Sequence, residues 1–201
     1  LESHKSLTEE EKEIELQRRV NLFRSLFRGR EDVYAQRFVT KDGKRGYQPV
    51  CRNRWSIECK AHKYKCEGCA HRELVPLDDA IIRRHLHKGA KETDILGLYP
   101  IMEDNTCFFL CADFDDKNCQ HGYKDDVLSY VSVCKDWMIP VYIERSRSGN
   151  GAHAWIFFSE PVSAALARKL GFAILGSAME RNIHLDMKSY DRFFPNQDFI
   201  P

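Results

Sequence analysis

Two acidic residues stand two positions apart directly after an apolar segment. Residues 107–112 form the longest strongly apolar run of the chain, and Asp113 and Asp115 follow it. Side chains at i and i+2 of an extended strand point to the same side, and two carboxylates at ~4 Å repel by roughly 4 kcal/mol at an effective dielectric of about 20. Mg²⁺ or Mn²⁺ would relieve this repulsion and keep positions open for phosphate oxygens. The pair therefore predicts a metal site for phosphoryl transfer, and two solvated strand-end acids are the alternative.

A turn rich in phosphate-binding residue types lies two predicted strands later. Its members are Ser146, Arg147, Ser148 and Gly149-Asn150-Gly151, with His153 in the strand that follows. Backbone N–H groups freed by glycines can form a phosphate cradle with serine and arginine donors, and an imidazole N–H can donate to a phosphate oxygen. The alternative is a polar hairpin with a histidine at the start of a strand.

Four cysteines in a basic segment form a candidate zinc site. Cys51, Cys59, Cys66 and Cys69 follow the spacing C-x7-C-x6-C-x2-C. Zinc favours four thiolates in a closed tetrahedral site, so we expect Zn²⁺ to stabilise a loop-rich module and to take no part in chemistry. His62 or His71 could replace one cysteine as a ligand, and four unrelated buried thiols are the alternative. The remaining cysteines are interpreted as small buried apolar residues; they are Cys107, Cys111, Cys119 and Cys134.

Hydrophobic periodicity predicts the elements that must position these residues. Thr8 and Glu11 have the spacing of a capping box, so a first helix is predicted from about Thr8 to Arg28. From Cys107 onward the predicted order is β, α, β, β, α, β, as in ferredoxin-like and RNA-recognition-type (RRM-like) folds. We therefore expect an α+β fold, with a four-stranded antiparallel sheet and two helices on one of its faces.

The first and third strands of such a sheet are central neighbours. This arrangement would bring the two acids opposite His153, where a third acid would complete the metal site. Asp191, in the predicted last strand, is the first candidate for that acid, with Asp186 and Asp198 as alternatives. We expect three parts along the chain: the N-terminal helix in residues 1–30, the basic four-cysteine zinc-binding module in 31–75, and the RRM-like catalytic core in 76–201.

Composition and charge limit the class of protein. The chain has 201 residues, 43% hydrophobic and 30% charged, which excludes a disordered tail and a fibrous repeat. No apolar run approaches the ~20 residues that a membrane span requires. The charged start lacks a secretory signal, so we expect a cytoplasmic protein with reduced thiols. Residues 28–72 carry 12 Lys and Arg against 5 Asp and Glu, and residues 103–126 carry 7 acids against 2 bases. This pairing suits a protein that binds polyanions with one part and cations with another, and solvated surface charge is the alternative for each segment.

These motifs together resemble those of archaeo-eukaryotic primases, the primase-polymerase superfamily. The first two motifs are Asp113-Phe114-Asp115 and Ser148-Gly149-Asn150-Gly151-Ala152-His153, and a later acid supplies the third. The amino-acid sequence of these motifs is more similar still to the primase domain of TOTE conflict systems, a bacterial and phage-related branch. The segments that carry this closer resemblance are 27–35, the cysteine cluster, 141–153 and 189–198. The resemblance spans roughly residues 20–201.

The resemblance implies template-directed nucleotidyl transfer by a DNA primase or polymerase. In this reaction a 3′-hydroxyl attacks the α-phosphate of an incoming nucleotide, and pyrophosphate leaves. Asp113 and Asp115 would hold two catalytic Mg²⁺ or Mn²⁺ ions, and Asp191 would be the acid of the third motif. The residues that would bind the phosphates of the nucleotide are His153, Ser148, Arg147 and Ser146.

The resemblance also implies partners. These are template and primer DNA and nucleoside triphosphates. Similar proteins continue past the position of Pro201 with a Gly-rich strand and then a helicase region, so we expect a C-terminally truncated core here and a helicase region in the full-length chain.

Two other functions share some of these features. A non-catalytic nucleic-acid-binding domain with an RRM-like sheet and a zinc finger would stack bases on exposed aromatic residues of the central strands. The candidates for that stacking are Trp155, Phe157, Phe108 and Phe114. A two-metal nuclease would use the same acids and would shorten oligonucleotides where a polymerase extends them.

Overall fold

The computed structural model describes residues 8–61, 63–66, 68–87, 89–116, 122–181 and 187–200. His62, Cys119 and Asp186, which the sequence interpretation named, lie outside these ranges. The chain divides into two compact units, Leu1–Tyr99 and Pro100–Pro201. None of the helices in the described part of the chain combines the length and apolar character of a bilayer-spanning helix.

The N-terminal unit begins with the predicted helix. Helix α1 spans Glu9–Leu26. Its capping box is formed, since Thr8 Oγ1 accepts from the Glu11 backbone N–H at 3.2 Å and the Glu11 carboxylate accepts from the Thr8 backbone N–H at 2.7 Å. This reciprocal pair satisfies two of the N–H groups that a helix start leaves without partners.

A small antiparallel sheet and two further helices complete the described part of this unit. The strands are β1 (Ala35–Val39), β2 (Arg45–Pro49) and β3 (Leu96–Gly97), in the order β2-β1-β3, and the helices are α2 (Ile57–Ala61) and α3 (Asp79–Leu86), with a short 3₁₀ helix at Glu92–Asp94. One apolar cluster joins α1, α3 and the sheet; its buried members are Val20, Tyr34, Ile81, Ile82 and Leu96. From the segment between β2 and α3, only its ends contribute, since Val50, Val75 and Leu77 are partly buried against this cluster and no described residue of 51–74 belongs to it.

The C-terminal unit is built on a longer antiparallel sheet. Its elements are β4 (Thr106–Asp115), α4 (Tyr123–Asp136), β5 (Tyr142–Arg145), β6 (Gly151–Ser163), α5 (Ala164–Arg181) and β7 (Tyr190–Phe194). The strand order is β5-β6-β4-β7, with every pair antiparallel. The first and third strands of this unit, β4 and β6, are therefore the central neighbours that the sequence predicts.

Alternation along β4 and β6 gives this sheet two different faces. Leu110, Ala112 and Phe114 of β4 are buried in one cluster with apolar residues of α4 and α5. Because successive side chains of a strand point to opposite sides, Asp113 and Asp115 lie on the other face. Helix α5 comes close to the sheet at Gly171, where an added Cβ would lie 2.8 Å from the Phe193 ring.

The expectation that Phe114 could stack bases is wrong. Phe114 has no exposed surface, and its ring packs edge-on against Tyr130 of α4 at a centroid distance of 5.8 Å. The physical reason is strand parity, because Phe114 shares the core-facing side with Leu110 and Ala112. As a whole, the chain is a mixed α/β protein with antiparallel sheets and an N-terminal helix, consistent with the α+β class.

Candidate active site

Strand register brings the first acid and the histidine together. In the β4–β6 ladder Asp113 pairs with His153, and Asp115 pairs with Gly151. His153 Nε2 lies 3.5 Å from Asp113 Oδ1, and both side chains keep some exposure, 28% and 19%. We call the surface formed by Asp113, Asp115 and His153 the acid face.

The charge on Asp113 is sensitive to its surroundings. Burial raises the pKa of Asp113, and the nearby Asp115 and Asp191 carboxylates raise it further, whereas His153 and Arg192 act in the opposite direction. Desolvation and like charges both disfavour an ionised carboxyl, and a nearby cation favours it. Added positive charge at the acid face would therefore stabilise the ionised form of Asp113.

Glu144 on β5 holds the histidine from its other side. Its Oε2 atom lies 3.1 Å from His153 Nδ1 and accepts from Trp155 Nε1 at 2.9 Å. An ionised carboxylate can only accept, so Nδ1 carries the proton of this hydrogen bond, and Nε2 is left facing Asp113. The hydrogen bond to Glu144 raises the pKa of His153, burial lowers it, and Asp113 raises it again.

The turn between β5 and β6 is closed by its own backbone. The Ser146 N–H donates to Gly151 O at 2.9 Å, and the Gly149 N–H donates to Ser146 O at 2.9 Å. Gly149 has φ +80°, a conformation that a residue with a Cβ rarely adopts. The side chain of Arg145 donates to Gly149 O from both Nε and Nη2 at 3.2 Å. These bonds fix the turn from within.

The turn lies directly against the second acid. A Cβ added to Gly151 would be 2.4 Å from Phe114 O and 3.2 Å from both Asp115 Oδ1 and Ser146 Oγ. Ser146 Oγ is in turn 3.1 Å from Ser148 Oγ. The close approach that glycine allows here keeps the turn next to β4, with Ser146 Oγ and Asp115 Oδ1 both bordering the space beside Gly151.

Strand β7 places Asp191 next to the pair through an irregularity. Asp113 pairs with Arg192 and Phe114 with Tyr190, so the register shifts between them and leaves Asp191 as an extra residue. Asp191 Oδ2 accepts from Arg192 Nε at 2.8 Å. Asp191, the preferred third acid, is thus near enough to raise the pKa of Asp113. Asp191 is also ion-paired with Arg192.

The alternative third acid, Asp198, lies elsewhere in the unit. Its Oδ1 atom accepts from Arg168 of α5 at 2.7 Å. Two residues later the Ile200 N–H donates to Asn105 Oδ1 at 2.9 Å, just before β4 begins. Asp115 ends that ten-residue strand, which spans about 30 Å at ~3.3 Å per residue. Of the two described candidates, Asp191 is the one near the acid pair.

The four cluster cysteines surround one pocket of the N-terminal unit. Cys51, Cys59, Cys66 and Cys69 line it together with Arg54 and His71, and all four are free thiols. The Glu73 N–H donates to Cys51 Sγ at 3.3 Å, and Arg54 Nη1 donates to Cys66 Sγ at 3.9 Å.

The donor chemistry at both places suits the expected metals, although neither is a finished coordination sphere. In the described ranges, no group of three or more His, Cys, Asp or Glu side chains is close enough to hold a metal ion. The carboxylate oxygens of Asp113, Asp115 and Asp191 are the donors that Mg²⁺ and Mn²⁺ prefer. The soft thiols of the cysteine pocket are those that Zn²⁺ prefers.

Sequence reasoning missed two charged residues of this site. Glu144 could have been found by counting back through the predicted hairpin, because its pairing with His153 follows from the turn between the strands. Arg192 could not be assigned in the same way, because its position opposite Asp113 depends on the register shift in β7. Arg147, by contrast, is exposed in the turn that was expected to bind phosphate.

The fold and the acid face are compatible with a nucleotidyl-transferring domain, and a family comparison specifies the class. The family model described as "TOTE conflict system, Archaeo-Eukaryotic Primase domain" matches residues 18–201. The chain belongs to this family, which confirms the resemblance seen in its motifs. Membership points to primase-like nucleotidyl transfer in general, with nucleic acid and nucleoside triphosphates as substrates. A search among curated proteins gives no match.

Proposed function

We propose that this domain is a DNA primase-polymerase that performs metal-dependent, template-directed nucleotidyl transfer on an RRM-like sheet. The observation that carries the proposal is the convergence on the acid face. His153 Nε2 lies 3.5 Å from Asp113 Oδ1, and Gly151 brings the serine turn against Asp115. Carboxylates for cations and donors for phosphates thus meet at the end of two central strands.

The acids would provide the metal-binding half of this site. Asp113 and Asp115 would hold Mg²⁺ or Mn²⁺, and Asp191 would contribute the third carboxylate. When bound, such ions supply activation of the attacking hydroxyl and neutralisation of phosphate charge. Arg192 would then have to release its ion pair with Asp191, and its guanidinium would remain available to the same acidic cluster.

The turn and the histidine would provide the phosphate-binding half. The imidazolium form of His153, in which both ring nitrogens carry a proton, would donate from Nε2 to a phosphate oxygen while Nδ1 donates to Glu144. The hydroxyls of Ser146 and Ser148 and the exposed guanidinium of Arg147 would add donors to the triphosphate. Oriented donors of this kind position the α-phosphate for in-line attack.

The cysteine module would be structural. Its four thiols would hold Zn²⁺, and metal binding would supply folding free energy to residues 51–69, none of whose described members belongs to the apolar cluster of the unit. The proposed partners are template and primer DNA, nucleoside triphosphates, and a helicase region in the full-length chain. The proposed location is the cytoplasm of a bacterium or of a phage-infected cell.

A non-catalytic nucleic-acid-binding domain is the second candidate, because aromatic rings share the acid face. Trp155 and Phe157 lie parallel on β6, with centroids 6.1 Å apart and an interplanar angle of 5°. Rings on exposed strands can stack bases. The carboxylates of Asp113 and Glu144 on the same surface would repel phosphates, however, unless cations are bound. This favours the catalytic function.

Primer extension separates the candidates. Purified protein is incubated with Mn²⁺ or Mg²⁺, a labelled primer on a template, and nucleoside triphosphates. The wild type should lengthen the primer and Asp113→Asn should abolish extension. The control Asp136→Asn makes the same substitution at a residue ion-paired with Arg181 on the helical side of the unit, and it should retain activity.

The other outcomes identify the other functions. Shortened oligonucleotides that depend on Asp113 would replace the proposal by a nuclease. Oligonucleotide binding without any product, unchanged by metal ions and by Asp113→Asn, would replace it by the non-catalytic binding domain.

A further inference from the structure

Two aromatic rings lie side by side on the surface of the N-terminal unit. The ring centroids of Trp55 and Tyr64 are 5.6 Å apart, with an interplanar angle of 63°. Trp55 is 69% exposed and Tyr64 is 40% exposed. Rings of this size contribute large apolar area when they are covered, so a paired tryptophan and tyrosine left in solvent indicate a surface that meets a ligand.

Arg54 holds both rings in place. Its guanidinium carbon lies 5.5 Å from the Trp55 ring centroid and 5.3 Å from that of Tyr64. The same guanidinium donates to Gln48 Oε1 at 2.6 Å and to Tyr64 O at 3.2 Å. A cation fixed by hydrogen bonds below two rings limits their motion, so less side-chain freedom would be lost on binding. We call Trp55, Tyr64 and Arg54 the aromatic platform.

The backbone at Tyr64 is strained. Lys63 has φ +53° and Tyr64 has φ +59°, a left-handed conformation that costs non-glycine residues about 1–2 kcal/mol each. The Tyr64 N–H donates to Cys59 O at 3.0 Å, just after helix α2. The cysteine module thus keeps Tyr64 beside Trp55 against its local preference.

Positive charge surrounds the platform. Lys60, Lys63 and Lys65 are exposed, and none of them forms an ion pair within the described residues. Among the described acids, only Glu73 forms an ion pair with a Lys or Arg of residues 51–72. Its carboxylate lies 3.2 Å from the guanidinium of Arg52. Cations that protein carboxylates do not neutralise are suited to phosphates.

We propose that the aromatic platform stacks bases of single-stranded DNA while the neighbouring lysines contact its phosphates. Single-strand sites combine these two features, because every base has a face that can stack and every nucleotide carries a phosphate. A duplex buries its bases, so it would meet only the lysines. The inference deepens the proposed function, and the identification of the strand as a template rests on that function.

The test is a binding titration that needs no catalysis. The full chain is titrated into a fluorescein-labelled oligothymidylate, without nucleotide or added divalent cation, and anisotropy is measured. Trp55→Ala should weaken binding about five- to one-hundred-fold, the range for losing one stacked base. Trp55→Phe should restore most of it. The control Trp137→Ala removes a 41% exposed tryptophan from the C-terminal unit, and it should bind like the wild type.

A second probe separates stacking from a structural role. An abasic oligonucleotide of equal length keeps the phosphates and offers nothing to stack, so the wild type and Trp55→Ala should bind it equally, and weakly. Lys63→Gln should weaken binding of both probes and reduce the salt dependence. A labelled duplex should bind the wild type and Trp55→Ala equally.

Three results would overturn the inference. The first is that the wild type and Trp55→Ala bind oligothymidylate equally. The second is that Trp55→Ala loses as much affinity for the abasic oligonucleotide as for oligothymidylate. The third is that Trp137→Ala loses as much affinity for oligothymidylate as Trp55→Ala does. Asp136→Asn, which removes a carboxylate ion-paired with Arg181 of the C-terminal unit, should leave all of these titrations unchanged. The titrations contain no nucleotide and need no catalysis, so a failure of primer extension does not affect this result, and a failure of stacking does not affect the test of extension.

Discussion

The two units hold their chemically important residues in different ways. On the acid face, backbone ladders fix Asp113 opposite His153, and a large apolar cluster under the sheet supports those ladders. In the cysteine module, turns and the short helix α2 carry the thiols around a pocket, and none of the four cysteines belongs to the smaller cluster of the N-terminal unit. The strands hold the acid face in place without a ligand, whereas we propose that a bound metal ion would stabilise the cysteine pocket.

The largest difference between the two units should appear when metal is removed. Apparent binding free energies of structural zinc in small domains are about 10–16 kcal/mol, so a strong zinc chelator should unfold the cysteine module and leave the sheet of the C-terminal unit intact. Hydrogen exchange followed by mass spectrometry would show protection lost in residues 51–69 and kept in β4 and β6. Cys66→Ser should also reduce bound zinc, which a colorimetric release assay measures.

The matched control for this prediction is Cys134→Ala. Cys134 is buried in α4 and has no place in the cysteine pocket, so its loss should leave the zinc content unchanged. Equal exchange in residues 51–69 with and without chelator would show that the module folds without metal, and the difference between the two units would then disappear.

A glycine substitution should disturb the acid face through its backbone. A Cβ at Gly151 would lie 2.4 Å from Phe114 O, so Gly151→Ala should destabilise the protein by about 1–3 kcal/mol, as overpacking does. It should also reduce primer extension at least tenfold, because the serine turn is displaced from Asp115. Urea unfolding and extension rates measure the two effects.

Gly176 provides the opposite control in the same unit. It lies in α5, and a Cβ there would meet no atom within 4 Å. Gly176→Ala should stabilise the protein by about 0.5–1 kcal/mol, because alanine restricts the unfolded chain and favours the helix. If both substitutions changed the free energy of unfolding in the same direction, the close fit between the turn and β4 would not exist in solution.

Alkaline pH should weaken the C-terminal unit through its buried thiols. Burial raises the pKa of Cys107 and of Cys134 from 9.0 to about 11. A thiol whose pKa is higher in the folded state stabilises that state fully below the unfolded value and loses this contribution as pH rises towards the folded value. The urea midpoint should therefore fall between pH 9 and pH 11, and Cys107→Ala with Cys134→Ala should flatten that fall. An unchanged midpoint across this range would contradict the burial of these thiols.

The smallest expected effect is that of Glu144→Gln. The amide keeps the shape of the carboxylate and loses its charge, so the hydrogen bond that orients His153 weakens by an amount typical of one such bond. We expect the KM for nucleotide to rise roughly two- to tenfold with little change in kcat. Steady-state extension measures both constants. Glu160→Gln, an exposed change further along β6, is the control, and equal effects of the two variants would remove the special role of Glu144.

The sequence predicts the parts of the fold that follow from local pattern. The capping box at Thr8 and the strand–helix order after Cys107 need only periodicity and spacing. The meeting of Asp113 with His153 follows from topology, because the first and third strands of this order are neighbours. These features can be predicted because each depends only on residue spacing or on the order of the strands.

The remaining parts depend on exact register and parity. Base stacking by Phe114 requires the exposed side of β4, but Phe114 shares parity with Leu110, and a shift of one position exchanges the two faces of a strand. The contacts of Arg192 depend on a backbone irregularity that leaves no clear mark in the side-chain pattern. The placement of the cysteines around their pocket is set by turns, whose geometry periodicity does not describe.

The extra residue in β7 determines which sign of charge faces Asp113. An uninterrupted ladder continued from the Phe114–Tyr190 pair would put Asp191 across from Asp113, so two anions would stand about 4.5–5.5 Å apart. The shift puts Arg192 there and moves Asp191 aside without removing it. A designed protein that reuses this strand must therefore keep its irregular register, because the same residues in a regular ladder would place a carboxylate opposite Asp113 instead of a guanidinium.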